Sequence, residues 1–290
     1  MAKIVIVHGV GQQVSGHIDL HAKLFPSLRQ GITFAGSDIQ PSDAVFADYG
    51  ILYRPKSETL APAPYYDAAD VSDPYELALL EAWWTGAAAT DKGVFPPEEE
   101  ALGRTPGWVQ DALYALCESR FFSGIAERFL IGDLKQVKAY FTDPTLRAQI
   151  RDRVASYVGD DTRVVIGHSL GSVIAYEILC AHPQWPVTDF VTLGSPLGLR
   201  HLVFERLDPP PRSVDSPGQR IGRWPGSVTR WTNIVDEGDI VCLVENLRPL
   251  FGERVGHIRL HNGVHAHDMR PYLTDLLTGT TIARALDGSV

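Results

Sequence analysis

Gly167-His168-Ser169-Leu170-Gly171 reads G-x-S-x-G, and Ser169 is the residue in this chain whose setting most suggests nucleophilic chemistry. The five letters alone are a weak signal, so their context decides. Val164, Val165 and Ile166 form a β-branched run expected of a strand buried on both faces of a parallel sheet. Leu170 to Cys180 follows with helical spacing of Val173, Ile174 and Ile178, and Pro183 lies just beyond its end. A strand passing directly into a helix requires a tight, strained turn, with the serine at its apex and the flanking glycines leaving room for neighbouring backbone. The helix also aims its first N–H groups at charge developing beside the serine. An ordinary strand–helix turn is the bland alternative. A serine needs a base and oxyanion donors to react. Upstream, Ile4 to Val7 runs into the glycine-rich turn His8-Gly9-Val10-Gly11; downstream lie Asp236 and Asp239, then His265 and His267.

These features together resemble the α/β-hydrolase superfamily, in its lipase and esterase branches. The resemblance implies an oxyanion hole from the backbone N–H groups of Val10 and Leu170, the first matching the HG-x-G turn and the second following the nucleophile. It implies a Ser-Asp-His chain order with Ser169 as nucleophile. The D-x-x-D-x-V run at 236–241 resembles the family's G-x-x-D-x-V and points to Asp239 as the acid, with Asp236 as the alternative. Ala266-His267-Asp268 matches the family's base loop better than the neighbouring position, so His267 is the expected base and His265 the alternative. His168 is expected to pack beside the nucleophile without deprotonating it. The implied activity is hydrolysis of a carboxylic ester through an acyl-enzyme, with acyl lipids or phospholipids suggested by an apolar insertion. A thioesterase or acyltransferase would use the same three residues, and a non-catalytic binding protein on this fold is the alternative from another class. No cofactor is required.

The histidines at 257, 261, 265 and 267, with Asp268, raise a metal-site reading. The absence of H-E-x-x-H and of a cysteine pair, and the strand pattern around His257 and His261, argue against it, so no metal is expected.

The elements that must position these residues form an α/β fold of the α/β-hydrolase type. A mostly parallel sheet of about six strands is flanked by helices, and it is trimmed at its N-terminus because the oxyanion loop arrives almost at residue 1. Residues 1–290 are read as a single domain. Expected strands are Ile4–Val7, Ala44–Tyr49, 164–166, Asp189–Leu193, Arg230–Val235 and His257–Asn262; expected helices are His17–Gly31, the nucleophile helix and a closing helix over Pro271–Leu286. Residues 51–160 read instead as a proline-punctuated insertion with helices over Pro74–Ala89, Gly107–Phe122, Gly124–Phe141 and Thr145–Val158. A connection that long carries its own structure, and a helical cap over the site is preferred to extra helices on the sheet. Residues 199–228 are expected to form a flap.

Composition narrows the partners. A hydrophobic fraction of 44% and a charged fraction of 21% suit a soluble globular protein, and a net charge of −9 argues against nucleic acid and gives no attraction to an anionic membrane. Three widely spaced cysteines suit a reducing compartment, and the first apolar run is too short for a signal peptide or membrane anchor, so a cytoplasmic protein is expected. The expected partner is a small-molecule or lipid ester.

Overall fold

The computed structural model describes residues 2–54, 65–97, 107–119, 121–122, 126–214, 218–263 and 266–288. Its centre is a six-stranded, wholly parallel sheet. The strands are β1 (Ile4–Val7), β2 (Ala44–Ala47), β3 (Val164–His168), β4 (Asp189–Leu193), β7 (Arg230–Asp236) and β8 (Val255–Leu260), in the order β2-β1-β3-β4-β7-β8. Between β4 and β7 a short antiparallel pair, β5 (Arg212–Ser213) and β6 (Arg220–Ile221), stands apart. The architecture is α/β, as expected from the alternation of buried strands and helical segments.

Chain order places the site. From β1 the chain passes through α1 (His17–Phe34) to β2 on one side, then returns to β3 on the other side of β1. The connections after β1 and β3 therefore diverge, and open parallel sheets leave a crevice at such a point, beyond the carboxyl ends of the strands. The His8–Gly11 turn and Ser169 flank this crevice. β1 and β3 are fully buried, which explains why their sequences are continuous apolar runs rather than alternating ones.

The insertion is helical: α2 (Pro74–Thr90), α3 (Trp108–Glu118), α4 (Glu127–Thr142) and α5 (Pro144–Ala155). Asp73 and Asp143 accept from the first free amides of α2 and α5, each followed by a proline in the first turn. A separate apolar cluster joins Leu80, Trp83, Leu113, Leu130 and Leu134 to Ile240, Val241 and Ala266. The insertion thus packs on the two loops that carry Asp239 and His267. On α4, Phe129 points away from this cluster and is 55% exposed.

Several expected elements have other bounds, among them α1, which runs on to Phe34, β2, which ends at Ala47, and α5, which ends at Ala155; three differences have an evident local cause. The helix expected over 107–122 ends at Glu118, where Ser119 Oγ donates to the Leu116 carbonyl at 2.5 Å. The last strand starts two residues earlier than expected, after the Gly252 turn (φ 103°), because its register is set by pairing with β7 from Trp231 to Asp236. The closing helix is two helices, α8 (Met269–Thr274) and α9 (Leu276–Leu286), divided at Asp275, whose carboxylate accepts from the Leu277 amide. In the 199–228 segment, Val203, Phe204, Leu207 and Val228 are buried in the main core.

The helix that follows Ser169, α6 (Leu170–Ala181), is tied to the insertion through one buried charge. The Glu177 carboxylate is fully buried and accepts from Arg147, from the Tyr140 hydroxyl at 2.7 Å and from the Asp208 amide at 3.1 Å. Removing one member of a buried ion pair leaves the other uncompensated. Glu177→Ala is expected to lower stability by roughly 3–5 kcal/mol in urea unfolding, far more than the Arg259–Glu245 pair, whose arginine is 55% exposed, would lose in Glu245→Ala.

Candidate active site

Ser169 adopts φ 52° and ψ −132°, a positive φ otherwise found, among the described non-glycine residues, only at His201. Such a conformation costs of order 1–3 kcal/mol and persists only where the surroundings impose it. They do so here by backbone contact. A Cβ on Gly171 would lie 2.2 Å from the His8 carbonyl oxygen, and one on Gly167 would lie 2.4 Å from Ser172 Cα. The Ser169 amide donates to the Leu193 carbonyl at 3.1 Å. Ser172 Oγ donates to the Ser169 carbonyl at 2.6 Å and contacts Ser195 Oγ at 2.7 Å.

The His8–Gly11 turn approaches equally closely, since a Cβ on Gly9 would stand 2.8 Å from Ser169 Cβ. His8 is buried and stacked on Tyr49, with ring centroids 4.2 Å apart. Desolvation drives its pKa down to about 4, so the ring is neutral, with Nδ1–H donating to the Gly9 carbonyl at 2.5 Å. The Tyr49 hydroxyl lies 2.7 Å from the His8 carbonyl oxygen and 3.1 Å from that of Gly9. From the insertion, Gln136 Oε1 accepts the Gly11 amide at 3.3 Å. Val10 and Leu170 both line the pocket that holds Ser169, and Leu170, as the first residue of α6, has an amide with no intrahelical acceptor.

Asp239 and His267 meet: His267 Nδ1–H donates to Asp239 Oδ2 at 2.8 Å. The other carboxylate oxygen accepts the Val241 amide at 3.0 Å, and the Tyr272 hydroxyl donates to Oδ2 at 2.9 Å while accepting the Asp236 amide at 2.8 Å. Burial would raise the Asp239 pKa, but the charge and hydrogen bond of His267, with the Val241 and Tyr272 donors, hold it below the usual carboxylate value. Burial would likewise lower that of His267, yet the charge and hydrogen bond of Asp239, with Asp133 and Asp268 further off, carry it above the ordinary histidine value. Gly194 (φ 51°) lets the pair sit against β4, because a Cβ there would be 2.4 Å from Asp239 Oδ2.

Asp236 takes a different position. Its carboxylate accepts the Gly238 amide at 2.7 Å and the Asn262 amide, bridging the turn after β7 to the end of β8. His265 lies outside the described residues. His168 Nε2–H donates to the His267 carbonyl oxygen at 2.9 Å, and the two rings lie 4.7 Å apart. Burial holds the His168 pKa down to about 3, assisted by His267, so it supports the loop as a neutral donor.

Ser169 and His267 line one pocket of about 40 Å³, whose walls include Val10, Trp83, Val137, Leu170 and Val241. No hydrogen bond joins Ser169 Oγ to His267 here, and in ligand-free sites such contacts are often long until substrate binds. Among the described residues, no group of three or more histidine, cysteine or acidic side chains could hold a metal. His261 instead faces Glu237, with Nδ1 3.3 Å from its carboxylate. Among the same residues, no helix is long and apolar enough to cross a membrane. The chain matches no protein-family model and no curated protein.

Tyr272, Gln136 and Asp133 escape sequence reasoning, because none sits in a motif and each meets a partner at least 30 residues away in the chain. For Tyr272 the only sequence signal is its place four residues after Asp268, in the first turns of a helix next to the histidine loop. Tyr272→Phe keeps the ring but leaves the buried Asp236 amide without its acceptor and Asp239 without one donor. It is expected to cost about 1–3 kcal/mol in thermal or urea unfolding.

Proposed function

We propose that the protein is a serine hydrolase of the α/β-hydrolase type that cleaves a carboxylic ester through Ser169, His267 and Asp239. The observation that carries this reading is the buried Asp239–His267 hydrogen bond opening into the same pocket as a serine held at positive φ. In the proposed cycle, His267 Nε2 takes the Ser169 proton as Oγ attacks the ester carbonyl. Asp239 keeps Nδ1 protonated and stabilises the imidazolium. The Val10 and Leu170 amides receive the oxyanion, a contribution of several kcal/mol when donors are preorganised. The imidazolium then gives its proton to the leaving alcohol, forming the acyl-enzyme. Water, deprotonated by His267, attacks the acyl carbon and releases the acid.

The apolar lining beside Ser169, with Val10, Trp83, Val137 and Val241, suits the hydrocarbon part of an acyl group. The three free cysteines, Cys117, Cys180 and Cys242, support a reducing, cytoplasmic setting.

Labelling by a fluorophosphonate probe tests the serine. Wild type should label, Ser169→Ala should not, and His267→Ala should label at least about a hundredfold more slowly, while His265→Ala labels normally. Absence of wild-type labelling, with and without detergent, would sink the proposal. The pH profile is a second test. The base must be neutral to accept the proton, so the raised His267 pKa predicts that kcat/KM for a short ester rises with pH through an apparent pKa above 6.5. Asp239→Asn removes the charge that raises it and should move that limb to lower pH while slowing the reaction.

A further inference from the structure

Among the described residues, the pocket wall beside Ser169 and His267 is apolar except at one point. Asp133, on α4, lines the same cavity as Leu79, Trp83, Val137 and Phe141. Its Oδ1 lies 3.4 Å from where a Cβ on Gly11 would stand, so the carboxyl faces the turn expected to supply an oxyanion donor. It is also close enough to His267 for each to influence the other's titration. The buried carboxylates around the site are taken up by the protein: Asp239 has His267, Tyr272 and the Val241 amide; Asp48 has Arg153 and Tyr157; Glu177 has Arg147 and Tyr140. Asp133 is half-buried, and no hydrogen bond or ion pair to it occurs among the described residues. A single polar group left open in an otherwise apolar pocket is the kind of group that orients a ligand, so its carboxyl is available to a partner that arrives with one.

We propose that Asp133 is a substrate-recognition residue, which hydrogen-bonds a hydroxyl on a short acyl chain near the scissile carbonyl. This assigns the substrate class as hydroxyacyl esters and deepens the ester-hydrolase reading. The placement sets the neighbourhood, because Asp133 lines the same pocket as Ser169 and His267, so a ligand with its carbonyl at Ser169 lays its acyl chain along the wall that holds the carboxyl. The lining sets the chemistry. With no second polar wall residue to solvate it, a highly polar or charged chain would be poorly accommodated, whereas a chain with one hydroxyl matches one carboxyl. Desolvation raises the Asp133 pKa to about 7, with His267 opposing, so the group is present near neutrality both as carboxylate and as acid. A hydroxyl can donate to the first and accept from the second, which keeps it bound through either state.

Binding to the Ser169→Ala protein tests this without requiring turnover. Phenyl 3-hydroxybutanoate and phenyl butanoate are titrated by ligand-observed NMR into Ser169→Ala and into Ser169→Ala/Asp133→Leu. The expected result is at least about tenfold tighter binding of the hydroxy ester to the single variant, and no preference in the double variant. The plain ester should bind the double variant as well or better. Asp133→Leu should also raise the unfolding temperature, since it removes an unpartnered carboxyl, which separates loss of recognition from loss of fold. Equal binding of the two esters, binding of neither, or a preference that survives Asp133→Leu would each overturn the proposal. If the preference appears while wild type hydrolyses neither ester and resists fluorophosphonate, the hydrolase reading fails and the binding site stands.

Discussion

The close backbone approach between the β1 turn and the start of α6 is the constraint on which the rest depends. Gly171 lies against the His8 carbonyl, Gly167 against Ser172 and Gly9 against Ser169, all at separations that leave no room for a side chain. These contacts let the helix begin directly at the strand end, which forces Ser169 into its positive φ and turns its hydroxyl toward the pocket. Strain of this size is sustained because the fully buried β1 and β3 beneath the turn are locked in register, Ile4 to Val164 through Val7 to Gly167. A single methyl group at any of the three glycines would have to displace backbone or the serine itself.

Buried charge organises the second layer. Asp239 remains ionised in a desolvated position because two donors beyond His267 share its carboxylate, and one of them, Tyr272, also ties it to the Asp236 amide. Asp236 in turn holds the β7 turn to the end of β8. Asp239, its turn and the neighbouring strand end are thus one hydrogen-bonded unit, and the His168 bond to the His267 carbonyl joins that unit to the Ser169 turn. Rotation of the imidazole is limited from both ends, at Nδ1 by Asp239 and at the backbone by His168.

The helical insertion does more than cover this arrangement. Its apolar cluster includes Ile240, Val241 and Ala266, the residues just after Asp239 and just before His267, while Gln136 holds the Gly11 amide and Glu177 binds Arg147. The insertion therefore touches the loops of Asp239, His267 and the proposed oxyanion donor, and the helix that follows Ser169. Packing of that extent couples the shape of the pocket to the position of the polar groups, and it brings Asp133 into the pocket wall.

Much of this is local and therefore legible in the sequence. The strands of the sheet, the strand–turn–helix around Ser169 and the helices α2 to α5 follow from apolar periodicity and turn residues, which act over a few neighbours. The order of Ser169, Asp239 and His267 along the chain is likewise present in the letters. The choice of Asp239 over Asp236 for contact with His267 rests on the fold: both aspartates sit in one turn, and only the pairing of β7 with β8 and the placement of Tyr272 direct one to the histidine and the other to Asn262. The start of β8 and the break at Asp275 also depend on partners distant in sequence, as do the roles of Tyr272, Gln136 and Asp133. A side chain's neighbours across 30 to 130 residues are set by how layers pack, and periodicity along the chain carries no record of them.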